Sequence, residues 1–123
     1  MEKVYLRKLE DLELDYEKKQ RIIEESIEEA LYDKRQFNRE LENLSENYRY
    51  HYQQANFSEP IAMRTVYHLL EQCQDEGNRV VTQTVRDWED EKEENRISYR
   101  KETQSIEDEL TLFKEKERGQ EHE

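Results

Sequence analysis

An all-α fold, two long helices folded back as an antiparallel, coiled-coil-like hairpin, is predicted by three observations. Of 123 residues, 42% are charged and 33% apolar, with only two glycines and one proline. Sheet-based folds need more turn residues than that. Apolar side chains recur at steps of three and four along two tracks, each of fourteen steps over 50 residues. The mean step of 3.57 residues is that of a helical seam. One strong interruption, Asn56-Phe57-Ser58-Glu59-Pro60, separates the tracks.

The first track runs Tyr5, Leu9, Leu12, Tyr16, Lys19, Ile23, Ile27, Ala30, Lys34, Phe37, Leu41, Leu44, Tyr48, His51 and Ala55. Two successive steps of four, from Lys19 through Ile23 to Ile27, form a stutter that relaxes a supercoil. No Gly or Pro lies between Glu2 and Ala55, so one helix is expected over 2–55. The turn is expected at 56–60. Ser58 suits a helix cap, Glu59 the positive first turn, and Pro60 a position whose N–H would be unpaired anyway.

A second helix is expected over 61–118. Its track is Met63, Val66, Leu70, Cys73, Gly77, Val80, Thr84, Trp88, Glu91, Asn95, Tyr99, Glu102, Ile106, Leu110 and Phe113. Gly77 costs about 1 kcal/mol relative to Ala inside a helix. Its missing side chain allows close approach by a neighbour. The stretch 89–96, EDEKEENR, has no apolar residue. The helix is expected to fray by Gly119, leaving 119–123 as a disordered tail on a single domain spanning 1–118.

Charge and composition narrow the function. The net charge is −12, whereas phosphate backbones call for a basic surface, so no nucleic-acid partner is expected. No apolar run suits a membrane span, and the N-terminus lacks the apolar core of a signal peptide. A single Cys forms neither an intramolecular disulfide nor a cysteine zinc site. A di-iron bundle would need Glu three residues before His. Tyr48, Thr65 and Gly119 precede His51, His68 and His122 instead, so no metal is expected. Cys73 lies on the track as a small core hydrophobe, and His68 is off its helical face. Neither a Gly-x-Ser-x-Gly turn nor a phosphate loop is present. The expectation is a non-enzyme without cofactor.

Protein binding is the remaining class. Val4, Leu6, Leu14, Ile22, Leu31, Tyr32, Leu69, Val81, Val85, Ile97 and Leu112 lie off the seam and widen the apolar face. Such a thin hairpin is expected to need further helices, from a copy of itself or from another protein. Tyr48, Tyr52, Phe57 and Tyr67 gather near the turn as candidate partner-binding residues, since interfaces are enriched in Tyr. Trp88 is either a seam plug or a partner anchor.

The opening MEKVYLRKLEDLELDYE, the turn NFSEP and the chain length together resemble the small helical targeting partners of LXG-type toxins. Those accessory proteins serve the type VII secretion system of Gram-positive bacteria. The likeness covers the whole chain as architecture. Phe113-x-x-x-Glu117 resembles the aromatic-x-x-x-acid export signal near the end of the second helix, with Glu where Asp is common. The Trp-x-Gly turn of the small secreted partners is absent. That departure fits a companion without its own export signal, or a more distant relative. The resemblance implies side-by-side pairing with the toxin's helical N-terminal domain, or with a second helical accessory protein. It also implies a cytoplasmic protein, with export alongside the partner as a further option. A self-associating coiled-coil scaffold and an export-apparatus stalk protein are the alternatives.

Overall fold

The computed structural model describes residues 1–54 and 60–121, and among them there are two α-helices and no strand. Helix α1 spans Glu2–Gln54 and helix α2 spans Pro60–Glu121, and the two pack as a hairpin. Good helix formers fill both, and neither has an internal proline. Glu2 sits in the positive first turn of α1, where the Val4 N–H donates to the Met1 carbonyl at 3.0 Å. Helix α2 opens on Pro60, one residue before the expected start, and closes with Arg118 in its last turn.

The expected end at 118 is corrected: α2 passes through Gly119 to Glu121. Glycine ends a helix only where the chain takes a left-handed turn. The flanking Glu117, Arg118 and Gln120 all favour continuing. The expected Ser58 cap, Phe57 and most of the turn lie outside the described residues.

The chain divides into two compact units, one of Met1–Glu25 with Trp88–Glu123 and one of Ser26–Asp87. In the first unit, Glu2 meets Lys114, Tyr5 meets Phe113, Tyr16 meets Tyr99 and Glu24 meets Lys92. One member's number falls as the other's rises, which is the antiparallel register. In the second unit, the Phe37 ring lies over Gly77, and Leu41 and Leu70 line one groove.

Burial is thin. Ile23, 2% exposed, is the one buried hydrophobic side chain among the described residues. The rest of the seam is half-buried, and it departs from the expected tracks at several places. On α1, Gln20 replaces Lys19 inside and Ser45 replaces Leu44. Tyr52 likewise replaces His51 inside. On α2, Val81, Lys92 and Thr103 replace Val80, Glu91 and Glu102, and Val85 turns inward beside Thr84. Neighbouring residues differ by 100° around a helix, so a seam running nearer 3.6 than 3.5 shifts inward positions by one residue. Polar atoms come with it. Gln20 Oε1 and Thr103 Oγ1 in the first unit, and Asn38 Oδ1 and Asn78 Oδ1 in the second, are buried without a hydrogen-bond partner.

Candidate functional site

The candidate residues fall into two groups, one in each unit. In the first unit, Trp88 is half-buried on the inward line of α2. Phe113 is also half-buried, its ring tilted 43° against Tyr5 with centroids 5.9 Å apart. Glu117, four residues on, is exposed on the same side of the helix. The Phe113–Glu117 pair therefore has its aromatic member engaged within the hairpin and its carboxylate in solvent.

Between these positions, Tyr16 and Tyr99 stack at 4.4 Å and 15°. Asn95 Nδ2 donates to the Tyr16 backbone carbonyl at 3.4 Å, and Gln20 Nε2 donates to the Tyr16 hydroxyl at 3.1 Å. Arg96 grips Glu93 with two hydrogen bonds, from Nε to Oε2 at 3.0 Å and from the terminal nitrogen to Oε1. That fork holds the Glu93 carboxyl below the usual carboxylate range. A shallow groove lined by Tyr16, Arg96, Tyr99 and Arg100 runs along this side.

In the second unit, Tyr48 and Tyr52 come together, stacked at 6.4 Å and 27° and both half-buried. Tyr50 is exposed and meets the neighbouring His51 ring edge-on at 5.6 Å. Tyr67 is exposed and lines a groove with Asn38, Leu41, Glu42, Glu71 and Gln74. Phe57, the remaining member of the aromatic group, lies outside the described residues.

Cys73 is exposed, correcting its expected place in the seam. Gly77 sits where close approach was expected. A Cβ built there would lie 2.5 Å from Phe37 Cε1. Phe37, Leu44 and Val80, expected in the seam, are exposed instead. One signal for them was available. Phe37 and Leu44 are seven residues apart, and Leu69 and Val80 eleven, spacings that keep each pair on one line of its helix.

Among the described residues, no cluster of His, Cys, Asp or Glu is arranged to hold a metal ion. Likewise, none of their helices is long and apolar enough to cross a membrane. What the surface offers is shallow grooves and exposed apolar side chains on helices. In comparisons with protein-family models, curated proteins and solved structures, nothing matches this chain.

Proposed function

We propose that the chain is a non-enzymatic helical binding partner, which pairs side by side with the helical N-terminal export domain of a type VII secretion toxin and helps target it for secretion. One observation carries the binding part of this reading. The hairpin buries Ile23 alone, while fifteen large hydrophobic side chains stay exposed among the described residues. Helices of a partner laid alongside would cover these side chains and supply the burial that the seam lacks. The toxin-targeting part rests on the likeness of the chain's opening, turn and length to the LXG partners.

In this reading the protein meets its partner in the cytoplasm, before export. Tyr48, Tyr52, Tyr67 and Trp88 contribute to the pairing. Phe113 with Glu117 forms part of a composite signal read by the secretion machinery. Glu117 is exposed, so it is available to a receptor while Phe113 holds the local helix against Tyr5.

The test is co-expression with the helical domain of the LXG-type toxin encoded beside it. A stable complex, together with loss of toxin export when the chain is deleted, is the expected result. Failure to co-purify with export unaffected overturns the reading. Glu117→Gln should stop export and leave the complex intact. A homo-oligomer by light scattering, with no affinity for the toxin domain, would instead identify a self-associating scaffold.

A further inference from the structure

We propose that partner docking in the second unit occurs on the side carrying Phe37, Leu44, Leu69, Cys73 and Val80, and that its occupant is an amphipathic helix of another protein, with an apolar stripe flanked by Lys and Arg. This inference rests on the binding-partner reading and narrows it: it names the face and the chemistry of the partner, and it leaves Tyr67, which lines the groove on the opposite side, outside this contact.

The face follows from helix geometry. Phe37 and Leu44 share one line of α1; Leu69, Cys73 and Val80 share one line of α2. Asn38, Glu42, Tyr67 and Glu71 close the groove on one side of the pair. In antiparallel helices, like-handed sides meet, so the two apolar lines adjoin on the other side. Phe37 over Gly77 fixes their contact. The four large side chains are 36%, 56%, 54% and 57% exposed for Phe37, Leu44, Leu69 and Val80, and Cys73 among them is exposed too.

Charge selects the occupant. Asp33, Glu40 and Glu76 each stand four residues before an apolar member of the face, namely Phe37, Leu44 and Val80. Asp87 extends the α2 line by seven residues beyond Val80. Following steps of three and four, the α1 line reads Asp33, Phe37, Glu40, Leu44, Asn47, His51. The α2 line reads Leu69, Cys73, Glu76, Val80, Gln83, Asp87. Neither line contains Lys or Arg. Arg79 reaches Glu76 from the adjacent line at 3.8 Å, but both side chains are largely exposed and such pairs are weak. Gln83 donates to Asp87 at 2.9 Å and leaves its charge in place. A second copy docked on this face would set carboxylates against carboxylates, and like-charge juxtaposition is costly. A helix with basic flanks meets both the apolar stripe and its rim.

The only cysteine of the chain reports on the face. Alkylation of Cys73 by iodoacetamide is followed on the full chain, alone and with two synthetic amphipathic helical peptides. Both peptides carry a leucine stripe; one is flanked by lysines, the other by glutamates. At about ten times Kd, the lysine peptide should slow alkylation roughly tenfold, following the free fraction. Protection should fall at high salt, and the glutamate peptide should give none. Leu44→Glu with Val80→Glu should abolish protection without loss of helicity, because both sites are exposed. Leu14→Glu, at an exposed position of the first unit, should leave protection unchanged. Equal protection by both peptides, protection by neither, or protection that rises with the chain's own concentration overturns the proposal. Co-purification separates the two readings. A toxin domain that binds the Leu44→Glu, Val80→Glu variant as well as the parent removes this face but keeps the pairing. A toxin domain that never binds, beside a lysine peptide that protects, keeps the face and removes the pairing.

Discussion

The two units use different means to hold α1 against α2. The first joins the helices through named pairs: the Tyr16–Tyr99 stack, Tyr5 on Phe113, and ion pairs of Glu2 with Lys114 and Glu24 with Lys92, both at 3.3 Å. It also holds Ile23. The second is organised around a steric fit, the Phe37 ring in the space that Gly77 leaves, and it keeps a row of apolar side chains outside. A two-helix seam can thus be stabilised by side chains that meet or by a side chain that is missing. Both units leave apolar side chains outside, and in the second Phe37, Leu44, Leu69 and Val80 share one side of the helix pair.

The largest expected effect tests the first unit. Ile23→Ala should cost about 2–3 kcal/mol, the lower part of the range for emptying a buried aliphatic site, because a two-helix seam can partly close. Urea unfolding followed by circular dichroism measures it. Hydrogen exchange should place the loss of protection in 1–25 and 88–121. A cost below ~0.5 kcal/mol would mean that the buried isoleucine matters no more than a surface residue.

Next comes Tyr16→Ala, which removes the close stack with Tyr99. A cost of about 1–2 kcal/mol is expected, combining pair geometry with partial burial. Tyr99→Ala in the same background should then cost little, since the partner ring is already gone. Additive losses would deny the stack a role.

The second unit gives a test of opposite sign. A Gly→Ala change in a helix interior ordinarily gains about 1 kcal/mol. At Gly77 the new methyl meets Phe37, so Gly77→Ala should gain nothing or destabilise. In a Phe37→Ala background the full gain should appear. Equal effects in both backgrounds would break the proposed difference between the units.

The smallest effect is electrostatic. Arg96 lowers the Glu93 pKa in the folded chain, so this pair's contribution is intact above the ordinary carboxylate pKa. It is lost as the pH falls through the lower, folded value. Carboxyl-carbon titration by NMR should find the Glu93 midpoint lower in the parent than in Arg96→Gln. An unchanged midpoint would leave the fork without energetic weight.

Much of the fold is readable in the sequence because long helices announce themselves. The absence of Gly and Pro foretold one unbroken α1, and α2 begins among the described residues at Pro60, one residue before its expected start. The approach to Gly77 followed from a glycine on the track between Cys73 and Val80. The inward residue at each turn was harder. Val80 and Val81 are the same amino acid, so hydrophobicity cannot choose between them, and the choice depends on whether the seam steps three or four residues from Gly77. Lys92 lies inside because its aliphatic stem packs while its ammonium reaches out to Glu24, and Gln20 keeps its amide in the seam, where Nε2 meets the Tyr16 hydroxyl; residue type alone conceals both. The apolar face of the second unit is hidden for a related reason: Phe37, Leu44, Cys73 and Val80 all fall on the expected tracks, and Leu69 alone stands off them.

Gly77 also acts as a detent. Slide α1 along α2 by one heptad in the second unit and Phe37 would confront Leu70 or Thr84, each carrying a Cβ where the ring needs room. No other glycine lies in this unit. Elsewhere leucines, valines and tyrosines could exchange neighbours at modest cost, and Asn38 and Asn78 add only a soft preference of the kind that buried polar groups give coiled coils. A single absent side chain therefore indexes the two helices. It decides the register of the α1 line carrying Leu44 against the α2 line carrying Leu69, and so which apolar surface the outside world meets.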